Sequence, residues 1–144
     1  MPAKRENTVK YMILTYGTQL DYDGIGGKPD SGWTAEDVAA LHQFMTEFNK
    51  GLEESGELVE TRGLAAPVHT RRLKLENGVP VATDGPYAET QEVLAGYWVV
   101  ECASFDRATE VAAKLANCPG PAGSVPSYVA DVRPVTESID ELEV

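Results

Sequence analysis

Residues 9–16 read Val-Lys-Tyr-Met-Ile-Leu-Thr-Tyr, and residues 97–103 read Tyr-Trp-Val-Val-Glu-Cys-Ala. Both runs are rich in β-branched and aromatic side chains, the composition of strands. Successive side chains on a strand point to opposite faces. Tyr11 and Ile13 therefore share one face of the first run, and Met12, Leu14 and Tyr16 share the other. A strand apolar on both faces needs cover on both faces. What supplies that cover decides the fold.

One cover is helical. Val38, Leu41, Met45, Phe48 and Leu52 recur at helical spacing, with Phe44 widening the stripe. Thr34 with Asp37 three residues on resembles a capping box, and Gly56 suits a helix C-terminus. A second helix opens at Ser104-Phe105-Asp106, buries Ala108, Val111, Ala112 and Leu115, and stops at Cys118-Pro119-Gly120-Pro121. Residues 57–64 and 127–135 read as further strands. Residues 71–75 and 79–83 form a hairpin, because Asn77-Gly78 tolerates the positive φ angles of a tight turn. Residues 19–32, with Gly24, Gly26, Gly27, Pro29 and Gly32, read as a loop, and residues 87–93 as a short helix begun by Pro86.

The order β–α–β, hairpin, β–α–β gives an α+β ferredoxin-like sandwich with an inserted β-hairpin. Two long helices cover one face of its sheet. The other face keeps the apolar residues of both central strands, and a second copy packed sheet to sheet would hide them, so a two-fold homodimer is expected. One domain spans residues 9–135, with an N-terminal extension at 1–8 and an acidic tail at 136–144 expected to be disordered.

The 144 residues carry 12 Lys+Arg against 23 Asp+Glu, a formal charge of −11. That balance argues against nucleic acid and anionic membrane surfaces, which need an excess of Lys and Arg. No apolar run approaches the roughly 20 residues of a membrane span. The charged start does not read as a signal peptide. Two cysteines make no disulfide framework, and a reducing cytoplasm is the expected setting. The two histidines and two cysteines have no metal-site spacing, so neither metal nor cofactor is expected. Gly24-Ile25-Gly26-Gly27 has no dinucleotide-fingerprint spacing, and Gly27-Lys28-Pro29 has no Ser or Thr of a phosphate loop.

Residues 84–92, Asp-Gly-Pro-Tyr-Ala-Glu-Thr-Gln-Glu, closely resemble the D-G-P-F-A-E-T-K-E signature of the YCII-related, or DGPF-domain, family. Tyr87 stands for Phe and Gln91 for Lys. The flanks agree, with Tyr11-Met12-Ile13-Leu14 at the start, Gly56 and Leu58, Gly96-Tyr97, and Arg133-Pro134-Val135 at the end. The resemblance implies a dimeric α/β barrel. It says little about reaction: some relatives look enzymatic, with a His–Asp pair or a dehydrochlorinase-like activity, and others resemble accessory proteins encoded beside alternative sigma factors.

Asp84 follows a strand and precedes Pro86. It reads either as a cap of the signature turn or as a catalytic base or orienting carboxylate. His42 lies one position off the first helical stripe. It reads either as a boundary histidine or as a proton carrier reaching over the stripe edge. Tyr87, Tyr97, Trp98 and Tyr11 are the candidate ligand-binding aromatics, which core packing would equally explain. His69 reads as an exposed loop residue, and Arg62, Arg71 and Arg72 as strand-edge charges able to meet a carboxylate ligand. Two readings follow. One is a small-molecule-binding dimer, conceivably a cofactor-independent lyase or isomerase, with its cleft beside the signature turn. The other is a non-enzymatic accessory or regulatory dimer.

Overall fold

The computed structural model describes residues 8–85, 88–124 and 128–142. Nine longer elements follow in chain order: β1 (Val9–Gly17), α1 (Gln19–Ile25), α2 (Ala35–Ser55), β2 (Leu58–Gly63), β3 (Arg71–Glu76), β4 (Val79–Asp84), β5 (Val93–Cys102), α3 (Phe105–Lys114) and β6 (Ala130–Pro134). β2, β5, β1 and β6 lie side by side in that order, every neighbouring pair antiparallel. With α2 and α3 as the crossovers, this is the ferredoxin-like α+β arrangement. Ile13 sits opposite Trp98 on one side and Val132 on the other, and all three face the helices.

The inner layer joins Tyr11, Ile13, Trp98, Val100 and Cys102 of the sheet to Leu52 of α2 and to Ala108, Val111 and Ala112 of α3. Leu115, in the 3₁₀ turn that continues α3, completes it. Trp98 crosses Phe48 edge to face with ring centroids 5.4 Å apart, and its indole N–H donates to Asn49 Oδ1 at 2.7 Å. Tyr11 meets Phe105 edge to face at 5.4 Å. The caps form as their residue types dictate. Thr34 and Asp37 make a reciprocal capping box, Gly56 takes the left-handed conformation, and Ser104 Oγ accepts from the Arg107 N–H.

Two expectations need correction. Residues 19–32 are not one loop: Gln19–Ile25 is helical, started by a second capping box between Thr18 and Asp21. Gly24 within it, with Gly26 and Gly27 just beyond, hides the helix because glycine disfavours helix interiors. Nor do residues 88–92 form a helix. They run as turn and coil into β5, which begins at Val93 because Val93 and Leu94 pair with Gly17 and Tyr16. Pro86 and Tyr87 lie outside the described residues. The Asn77-Gly78 hairpin forms as expected, with φ of 51° and 79° at the turn. It makes its own two-stranded sheet, and only Val81 of its strand residues is partly covered. Residues 136–142 are exposed and include one 3₁₀ turn, Ile139–Leu142.

One ion pair joins the two halves of the fold. Glu57, 8% exposed, stands at the joint between α2 and β2. Arg107, in the first turn of α3, grips it with two bonds, Nε to Oε2 at 2.9 Å and Nη2 to Oε1 at 2.8 Å. Ser55 Oγ donates to Oε1 at 2.9 Å, and the Glu57 carbonyl accepts from the Glu101 N–H of β5 at 2.8 Å. The arginine bonds, more than any other cause, hold the Glu57 carboxyl below the ordinary glutamate range, against the opposing effect of burial.

Arg107→Ala would strand Glu57 in the interior. Breaking a fully buried pair costs roughly 3–5 kcal/mol, but a third of the Arg107 side chain stays in water, so a loss of about 2 kcal/mol is expected in denaturant melts. The pH dependence has a definite sign. A depressed folded pKa contributes stability that is complete above the ordinary glutamate value of 4.5 and fades as pH falls through the folded value. Acid titration of stability should therefore be shallower below that pH in Glu57→Gln than in the wild type, and equal slopes would contradict this role.

Candidate functional site

The helices are pinned to the sheet at one end and bridged more lightly at the other, where Asp37 at the start of α2 accepts from the Ala122 backbone N–H. The end of α2 and the start of α3 meet at Glu57 and Arg107. The first half of α2 and the turn after α3 instead border a cavity of about 730 Å³ over the last residues of β1. That volume lies within the usual range of small-molecule sites, about 300–1,000 Å³.

Thr15 and Gly17 of β1 and Ala95 of β5 form the cavity's sheet side. Thr15 is buried, and its hydroxyl donates to the Gly96 carbonyl at 3.3 Å. Tyr22 and Ile25 of α1, Trp33, and Leu41 and Met45 of α2 form one wall. The segment from Ala116 to Pro121, with Cys118 half-buried, and Tyr128 form the other. α1 is held in place from several sides. The Tyr22 hydroxyl donates to the Leu64 carbonyl at 2.8 Å, Leu20 N–H donates to Glu89 O at 3.3 Å, and Gln19 Oε1 accepts from Val68 N–H at 3.0 Å. Trp33 packs so closely on Gly24 that a Cβ there would fall within its ring. Only glycine leaves that space.

Burial moves the cavity's phenols and thiol further from ionisation. It pushes the Tyr128 phenol up to about 12 and raises the Cys118 thiol and the Tyr22 phenol. Tyr16, at the rim, is raised chiefly by its hydrogen bond to Asp131 at 2.6 Å. Among the described residues, the charged side chains on the lining are Asp21 and Glu92, both acidic, with no Lys, Arg or His. Asp21 Oδ2 accepts from the Thr18 N–H and hydroxyl at 2.9 and 3.0 Å. Glu92, the last residue of the signature, is exposed and makes no ion pair among the described residues. Among these residues no cluster of His, Cys, Asp and Glu is arranged to hold a metal ion.

The residues singled out from sequence sit elsewhere. Asp84 lies at the end of β4, where Arg71 Nε donates to its Oδ1 at 2.7 Å across the hairpin, both side chains about three-quarters exposed. A second, shallow depression beside Asp84 is lined by Val68, His69, Thr70 and Arg71, so the histidine near Asp84 is His69, not His42. His42 is exposed on α2 and lines neither depression, so the structure does not bring the two together in one site. Tyr11 and Trp98 are core residues. Tyr97 stands on the opposite face of the sheet, its hydroxyl donating to Glu60 Oε1 at 3.0 Å. Tyr87 lies outside the described residues. Arg62, Arg71 and Arg72 are not on the cavity lining.

The model of the YCII-related domain matches residues 9–128, and the chain belongs to that family. An uncharacterized protein of Rhizobium meliloti (strain 1021) is 30% identical over 105 residues, covering 73% of this chain and 81% of that protein.

Gly24→Ala tests the α1 wall. In an open helix the change would gain about 1 kcal/mol. Here the methyl must displace Trp33, and a loss of about 1–3 kcal/mol is expected, with a changed tryptophan emission spectrum. A stabilised variant with unchanged emission would contradict the packing.

Proposed function

We propose that this protein is a small-molecule-binding homodimer whose ligand occupies the cavity between α1, α2 and the end of β1. The cavity carries the reading: aromatic and apolar walls, neutral hydroxyl and thiol groups inside, and one signature residue, Glu92, on the lining. Asp84 and His42 do not face one another across it, so the geometry favours binding over a His–Asp proton relay. Any proton transfer in the cavity would fall to Glu92.

The dimer reading rests on the sheet face away from α2 and α3. Met12, Leu14 and Val99 alternate with the inward residues of β1 and β5 and lie at its centre; Met12 and Leu14 are half-buried and Val99 is buried in the single chain, so a second copy would complete their cover. Glu60 and Arg62 flank them on β2, and Asp131 and Arg133 on β6. Both signs therefore occur at both edges, and a two-fold copy would not meet a rim of one charge.

A small-molecule library should contain compounds that raise the melting temperature of the wild type, since a ligand at 100 times its Kd adds about 2.7 kcal/mol. Ala116 is exposed on the lining, so Ala116→Trp should fill the cavity, keep the fold and abolish those shifts. A library with no stabilising member, or shifts that survive Ala116→Trp, would overturn the cavity reading. Light scattering at micromolar concentration should give twice the 15.5 kDa chain mass, and Leu14→Arg should halve it with the circular dichroism spectrum preserved. A monomeric wild type would remove the dimer.

A further inference from the structure

We infer that the cavity takes a small organic cation, an amine on an aromatic or branched apolar body. This inference rests on the cavity being a ligand site and adds the class of ligand.

The charge on the lining is of one sign. Asp21 and Glu92 are its charged residues, and they have different duties. Asp21 is fixed in place by the capping box of α1. Glu92 has no such tie, which leaves it able to meet a cationic head group. The other polar side chains around them do not offset this charge. The Tyr128 phenol and Cys118 thiol carry no charge at neutral pH, their ordinary values of 10.0 and 9.0 lying well above it and burial raising both further. An anionic ligand would thus meet two carboxylates and, among the described lining residues, no Lys, Arg or His. Among the described residues, the cations that could have served it are off the lining: Arg71 is paired with Asp84, Arg72 stands on the hairpin, Arg62 lies near Glu60 on β2, and Lys28 is paired with Asp23, while Arg133, which acts on Tyr16 at the rim, stands on the outer sheet face next to Asp131.

The walls suit the rest of such a molecule. Trp33 and Tyr22 belong to the same lining as the carboxylates, with Tyr22 and Asp21 both beside Gly17, and aromatic rings attract ammonium groups as well as apolar bodies. Leu41, Met45 and Ile25 supply apolar surface deeper in the cavity. The chain's formal charge of −11 adds a long-range bias in the same direction, raising the local concentration of cations and lowering that of anions. A neutral molecule of the same shape would gain the walls but leave Glu92 without a partner.

Three probes with one body separate these terms: 2-phenylethylamine, 2-phenylethanol and phenylacetate, titrated by calorimetry into the wild type and into Glu92→Gln. The amine should bind about tenfold tighter than the alcohol, from one ion pair and one cation–ring contact, and phenylacetate should not bind. Glu92→Gln should weaken the amine about fivefold and leave the alcohol unchanged. Added salt should weaken the amine alone. Equal affinity for amine and alcohol, tighter binding of phenylacetate, or an amine unaffected by Glu92→Gln would overturn the cation assignment. Failure of all three probes beside a library compound that loses its effect in Ala116→Trp would also overturn it, yet leave the cavity as a ligand site. Failure of every compound would remove both.

Discussion

The bidentate bond between Arg107 and Glu57 sets how the helical layer lies on the sheet. It ties the joint between α2 and β2, where Glu57 stands, to the first turn of α3, and Ser55 at the end of α2 donates to the same carboxylate. β5 joins them through the Glu101 N–H on the Glu57 carbonyl. A buried ion pair contributes modestly to stability, because desolvation offsets much of its attraction. Its effect here is geometric. A guanidinium fork on a carboxylate tolerates little rotation, so α2 and α3 are fixed against each other and the sheet at that end.

The opposite end follows from that constraint and from chain direction. α2 runs away from the cavity toward Glu57, and α3 runs back toward it. Small residues line the core face of α3, where Ala108, Val111 and Ala112 let it lie close to the sheet. Beyond Leu115 the chain leaves the sheet through Cys118-Pro119-Gly120-Pro121, which has no regular hydrogen bonding to fill the space. On the facing side, α1 and Trp33 complete the wall but do not close it. The hollow is thus a product of packing, floored by the buried hydroxyl of Thr15 and ringed by aromatics.

Much of this was legible in the residues. Both central strands declared themselves by apolar side chains on both faces, and the capping pair Thr34–Asp37, the stop at Gly56 and the turn at Asn77-Gly78 act over four residues or fewer. Such local rules survive in any context. α1 escaped notice because Gly24 within it and Gly26 and Gly27 just beyond it argue against a helix, and the reason for Gly24 lies nine residues away in Trp33. The site escaped for the same cause on a larger scale. Its walls come from β1, α1, α2, β5 and the stretch after α3, and no local spacing links Tyr22 to Tyr128. The last residue of the signature, Glu92, lies on the cavity lining, while the hairpin register sets Arg71 opposite the first, Asp84, and pairs that carboxylate at the surface.

The chain has two tryptophans, and they stand on the two sides of the central claim. Trp33 lines the cavity, and Trp98 lies in the core with its N–H bound to Asn49. A nitrogen–proton correlation spectrum of the labelled protein therefore shows two indole signals, assigned with Trp33→Phe. Titration with 2-phenylethylamine should move the Trp33 signal saturably and leave that of Trp98 in place. Equal movement of both, or none in a titration where calorimetry records binding, would contradict a ligand site at this end of the sheet.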